Sequence, residues 1–158
     1  MSLNKLYRTS SNLEKEGVVI NFPSDDNPLA WMRCRRPGGR NVKFQKAMNA
    51  RLREYRKDLQ DNEGSESKEF QKVLALVYAD AVIVDWGGNI EGPDGKFLEL
   101  NHDNVVWLLT EDCPDLFLDL QRRLEVRLRW QEENRKAAGK NSQTASATNS
   151  GGGRQKKN

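Results

Sequence analysis

The residues that could do chemistry are few. His102 is the single histidine and thus the one imidazole available as a general base. A nucleophilic triad would also need a serine in a strained Gly-x-Ser-x-Gly turn, and the chain has no such pattern. His102 directly follows Asn101, a good helix cap, and reads as an exposed residue of a first helical turn. Cys34 and Cys113 stand 79 positions apart without a Cys-x-x-Cys pair, which excludes a disulfide scaffold and a zinc cluster of ordinary spacing. Cys34 alternates with charged neighbours as on a strand, and Cys113 precedes Pro114 at a helix start, where a thiol pKa can fall. Both are read as structural.

The loop from Asp85 to Glu99 is acidic enough to suggest calcium. An EF-hand loop begun at Asp85 would need a ligand at Gly87 and a glycine at Ile90, so the pattern fails. Gly95-Lys96 suggests a phosphate loop, but Ile90 stands where the first glycine belongs and Phe97 where Ser or Thr must follow. No enzyme, cofactor or metal site is expected, and the chain reads as a binding protein.

The strongest signal outside the core is a basic block. Residues 33–57 carry ten basic side chains and one acid, Glu54. Arg33, Arg35, Arg36, Arg40, Lys43, Lys46, Arg51, Arg53, Arg56 and Lys57 could face a phosphate backbone. No aromatic ladder accompanies them, so a basic face docking an acidic protein, or the chain's own acidic half, competes with that reading. Of the four tryptophans, Trp86 and Trp107 adjoin apolar blocks and read as core. Trp31 and Trp130 are the pair that could be exposed and anchor an interface.

These groups need elements to position them. Gly17–Phe22 is β-rich, Pro23–Pro28 is a turn of about six residues, and Leu29–Arg35 alternates polar with apolar, predicting a hairpin over about 17–36. A first helix is predicted over 42–60, capped by Asn41, with Phe44, Ala47, Met48, Leu52 and Tyr55 as its stripe. A second, apolar nearly all round, is predicted over 67–85 at the domain centre. A short third follows over 102–110. A fourth runs over 114–133, opened by Pro114 and buried along Leu116, Phe117, Leu120, Leu124 and Leu128. The fold class is therefore α+β, mostly α, in a single domain over 3–133.

The chain has 158 residues and a formal net charge of +3. Six basic residues and no acid fall within 134–158, so 1–133 carries 20 basic and 23 acidic side chains. Residues 134–158 lack any aromatic or large aliphatic side chain and are expected to form a disordered basic linker or tail. Residues 61–133 carry 17 acids and seven basic residues, so an electrically two-sided domain is expected. No apolar run reaches the roughly 20 residues that span a bilayer, and Met1–Lys5 lacks the apolar core of a secretory signal. A soluble intracellular protein is expected. Apolar faces on the second and fourth helices would also suit self-association.

The order of several motifs carries a resemblance. Leu13-Glu14-Lys15-Glu16-Gly17 leads into the hairpin, and Arg35-Arg36-Pro37-Gly38-Gly39-Arg40-Asn41-Val42-Lys43-Phe44 opens the basic helix. Ala81–Trp86, Gly92-Pro93-Asp94-Gly95-Lys96, Asn101–Leu109 and Cys113-Pro114-Asp115-Leu116-Phe117 follow in turn. Over roughly 13–129 the chain resembles the tail assembly chaperones of long-tailed bacteriophages, with Asn101 where serine or threonine is usual. The resemblance implies a non-enzymatic protein of the host cytoplasm, absent from the mature virion. It would bind the tape measure protein, keep it soluble and be displaced as tail tube subunits arrive. The client-facing surface is expected on the hairpin and first helix, through Trp31, Arg33, Arg35, Arg40, Phe44, Arg51, Arg53 and Arg56. It also implies two product lengths, with this chain the short form and a frameshifted longer form recruiting the tail tube protein. Lys156-Lys157-Asn158 is compatible with an adenine-rich slippery site. The alternative is a nucleic-acid-binding accessory protein that uses the basic block and tail.

Overall fold

In the computed structural model, residues 2–62, 64 and 67–131 are described, and the linker expected over 134–158 lies outside them. Two short helices come first, α1 (Leu3–Tyr7) and α2 (Ser11–Glu16). Neither was predicted, because each is too short to show a helical period. Ser10 caps α2 by accepting from the Leu13 N–H, and Leu13 and Glu14 are buried.

The hairpin is present as β1 (Val18–Phe22) and β2 (Ala30–Cys34). They pair antiparallel, with Val18 opposite Cys34 and Ile20 opposite Met32. Strand alternation sends Ile20, Phe22, Met32 and Cys34 inward and leaves Val19 and Arg33 outside.

The second helix differs from its sequence prediction. Helix α5 spans Lys68–Ala81 and stops there, preceded by α3 (Val42–Glu54) and α4 (Arg56–Asp61). The chain turns at Val82 and continues as β3 (Ile83–Gly88), antiparallel to β2, so the sheet order is β1-β2-β3. The local sequence favours this, and pairing with β2 selects it. Val82-Ile83-Val84 is a β-branched run that suits a strand better than a helix. What read as one helix apolar all round is a half-buried helix followed by a strand.

The first helix is broken as well. Helix α3 covers Val42–Glu54, and after Tyr55 a separate turn-and-a-half, α4, covers Arg56–Asp61. Asn41 caps α3 as expected, accepting from the Phe44 N–H at 3.1 Å. Its amide also donates to the Ala81 carbonyl at 2.9 Å and to Arg36 O at 3.0 Å. One buried asparagine therefore pins the start of α3 to the end of α5.

Asn101 caps α6 (His102–Trp107), accepting from the Asn104 N–H at 2.8 Å. A π-helical turn over Leu108–Asp112 follows, closed by Cys113 N–H to Leu108 O at 2.8 Å. Helix α7 opens at Pro114 but ends at Leu124, well before residue 133, and a 3₁₀ turn covers Arg127–Trp130. The break turns Trp130 inward, fully buried, its indole N–H donating to Leu124 O at 2.9 Å. Leu128, expected to be buried, is exposed, and Trp130, for which an exposed interface position was an alternative to the core, is core. The indole is the larger apolar surface, so the chain bends to bury it. The core packs the inner sheet face against α5, α6 and α7 around Ile20, Met32, Tyr78, Leu109, Phe117 and Leu120. Tyr78 and Phe117 meet edge to face, 5.0 Å between centroids.

Candidate functional site

The basic block does not form one surface, because much of it is used inside the fold. Arg51 on α3 grips Asp80 on α5 with two parallel bonds, Nε to Oδ2 at 2.9 Å and Nη2 to Oδ1 at 3.0 Å. His102 at the start of α6 lies 2.9 Å from the same carboxylate. Partial burial of Asp80 favours its neutral acid, but the bonds from Arg51 and His102 outweigh that and hold its pKa below the ordinary value. Three helices thus meet on one carboxylate. Arg33 reaches Asp85 across the β2–β3 pair at 4.0 Å, with both side chains half exposed.

A second cluster surrounds Glu14. Its carboxylate accepts from the Thr9 hydroxyl at 2.5 Å and the Arg40 backbone N–H at 2.8 Å. The guanidiniums of Arg36 and Arg40 stand at 3.4 and 3.5 Å. Burial pushes the Glu14 pKa up, but these donors and charges together bring it below its ordinary value. The Gly38-Gly39 turn is shaped by this contact: Gly39 sits at φ +55°, and a Cβ there would run into Glu14 Oε1.

The residues expected to face a partner are therefore dispersed. Trp31 lies on the outer sheet face over Gly87, partly exposed. Phe44 packs against the core and Arg35 is partly buried. Arg33, Arg40 and Arg51 are engaged with Asp85, Glu14 and Asp80. Arg53 and Arg56 are exposed on α3 and α4 and, with Lys43 and Lys46, form no ion pair among the described residues. Glu14 and Asp80 were not singled out in the sequence. Asp80 had a signal, since a lone acid inside an apolar helix must find a partner.

Two surface grooves flank α5. The smaller, about 240 Å³, lies toward α4 beside Tyr55 and Leu59. The larger, about 490 Å³, lies between α5 and α6. Its apolar lining is Leu76, Val106 and Trp107, and its polar lining includes Lys68, Lys72, Asp103 and Glu111. The π turn contributes to it: Thr110 donates to Val106 O at 2.6 Å, and Glu111 follows within the widened turn.

The remaining candidates resolve simply. Cys34 is buried, and burial pushes its thiol pKa far up. The pKa of Cys113 is raised rather than lowered, by partial burial and then by Asp112, whose carboxylate lies 3.3 Å from Sγ. The 85–99 segment closes on a Glu91–Phe97 bridge, with a turn in which Asp94 Oδ1 accepts from the Lys96 N–H at 3.0 Å. Among the described residues no group of three His, Cys, Asp or Glu side chains is placed to hold a metal.

No curated protein and no solved structure matches the chain. A family model does match, over residues 39–141, from the Gly-Gly turn through the groove and α7 and beyond the described residues. Since that match spans well over half of the sequence, this chain belongs to the YdaY prophage protein family.

Proposed function

We propose that this prophage protein is a tail assembly chaperone that binds the tape measure protein, keeps it soluble and hands it over as the tail tube assembles. The observation that carries the reading is the motif order, because the resembling motifs fall on framework positions of the fold. Gly38-Gly39 closes over Glu14, Asn41 locks α3 to α5, Asn101 caps α6 and Pro114 opens α7. Most of those motifs lie inside the stretch matched by the prophage family. The physical task suits a scaffold of this kind. An isolated tape measure carries long amphipathic helices whose apolar faces need reversible cover, and grooves between helices supply it. In the same proposal, this chain is the short product of a frameshifting gene, and its longer form recruits the tail tube protein.

The test is capture of the tagged full chain from cells producing the phage, after nuclease treatment, with the bound proteins identified by mass spectrometry. Recovery of a very long helix-rich phage protein is expected, with peptides that continue past Gln155 in a second frame. Capture without the tape measure protein would overturn the reading.

A second reading rests on Lys43, Lys46, Arg53 and Arg56, which are exposed and outside any ion pair among the described residues. A nucleic-acid accessory protein would use them, and its binding would weaken log-linearly as salt rises. Charge reversal at Arg53 and Arg56 separates the two readings. It would abolish nucleic-acid binding in one case. In the other it would leave in place a tape measure interaction that nuclease does not remove.

A further inference from the structure

The larger groove has a charge pattern that selects its occupant. Helix α5 contributes both cations, Lys68 and Lys72, which fall with Leu76 on one row at four-residue spacing. Helix α6 and its π turn contribute both anions, Asp103 and Glu111. The apolar part of the lining is the partly exposed Val106 and Trp107 of α6, with the largely buried Leu76 of α5. Lys68, Lys72 and Glu111 form no ion pair among the described residues, although walls of opposite sign face one groove. Four arginines of the basic block are committed differently, since Arg33, Arg36, Arg40 and Arg51 all reach carboxylates of the fold. The π turn bears on the site too, because such turns gather where a helix must re-aim side chains toward a ligand.

We infer that the groove between α5 and α6 is the client site, and that it receives an amphipathic helix of the tape measure protein with a polarised cross-section. The apolar stripe of that helix lies on Leu76, Val106 and Trp107. Acidic residues flank the stripe on the side facing Lys72, and basic residues on the side facing Glu111. The two flanks fix which way round the helix lies, since the reversed placement sets like charges against both walls. This inference rests on the chaperone reading and moves its client surface away from the hairpin and the first helix.

The test uses the full chain and overlapping peptides that cover the tape measure protein of the same prophage, with affinities measured by titration calorimetry. Peptides with the polarised pattern are expected to bind best. Glu111→Lys and Lys72→Glu are each expected to weaken them about five- to tenfold, as partners at exposed sites become opponents. Glu111→Lys is the sharper variant, because Lys72 also borders the smaller groove. The double variant is expected to prefer a peptide whose acidic and basic flanks have been exchanged. Unchanged affinity in both single variants, with wild-type binding intact, would overturn the groove assignment and leave the chaperone reading standing. A Glu111→Lys effect on sedimentation of the free chain with none on peptide binding would assign the groove to a second copy and overturn the proposal. Failure of the wild-type chain to bind any tape measure peptide would instead overturn the chaperone reading, and the inference with it.

Discussion

Trp130 and Asp80 show how single side chains decide local structure here. Trp130 is fully buried, donates its indole proton to Leu124 O, and its own carbonyl accepts from the Ser10 N–H at 2.8 Å. It thereby joins the end of α7 to the start of α2. Trp130→Ala should cost about 3–5 kcal/mol, the usual range for emptying a buried aromatic site. Urea denaturation of the variant measures this, and a loss below 1 kcal/mol would mean that the indole is not core. The two thiols offer a second residue-scale check. Cys34 is buried with its pKa raised, and Cys113 is partly exposed. Alkylation of the native protein should therefore label Cys113 first and leave Cys34 unmodified until unfolding. Equal labelling rates would contradict the buried strand position of Cys34.

At the scale of elements, the third strand is the feature that organises the sheet. β3 leaves α5 through Val82 and lies against β2 with Trp31 opposite Gly87 and Ala30 opposite Gly88. These glycines serve different ends. Gly88 has φ +89°, and a Cβ there would stand 2.6 Å from the Ala30 Cα and the Leu29 carbonyl oxygen. A Cβ on Gly87 would meet the Trp31 indole at 2.7 Å, a side chain that can swing aside. Gly88→Ala should therefore destabilise by about 2–4 kcal/mol, combining left-handed backbone strain with a backbone clash. Gly87→Ala should cost clearly less and show itself as altered tryptophan fluorescence. Thermal melts of the two variants test this ordering, and equal costs would remove the distinction between backbone and side-chain contact.

For the whole molecule, two carboxylates hold distant parts of the chain together. Glu14 ties the N-terminal helices to the turn before α3, and Asp80 gathers α3, α5 and α6. Both have pKa values below their ordinary 4.5 and 3.8 in the folded chain. A lowered folded pKa means that the unfolded chain binds protons first. The stability from each group is therefore full above its unfolded value and is lost as pH falls through the folded one. The urea midpoint should hold steady above about pH 5 and drop below it. In the Glu14→Gln, Asp80→Asn double variant it should start lower and fall less steeply. A variant with the same acid profile as the wild type would show that other groups control acid stability.

Much of this was determined by the sequence alone, and the division has a physical basis. The hairpin, the Asn41 and Asn101 caps and the Pro114 start were all readable because each depends on a few adjacent residues. The stripes of α3 and α7 were readable because period 3.6 repeats within one element. Tertiary structure alone decided the rest. Helical and strand readings of Val82–Val84 are both apolar, and only pairing with β2 selects the strand. Whether Trp130 or Leu128 turns inward depends on the space left by α2 and the hairpin. The basic block looked like one surface because its charges are contiguous in sequence. In the fold Arg33, Arg36, Arg40 and Arg51 find carboxylates from 22 to 52 positions away along the chain. The α5–α6 groove had no local signature at all, since its two walls come from helices separated by a strand and a long loop. Charge pairing and concavity arise between elements, so a linear reading could supply the parts but not their arrangement.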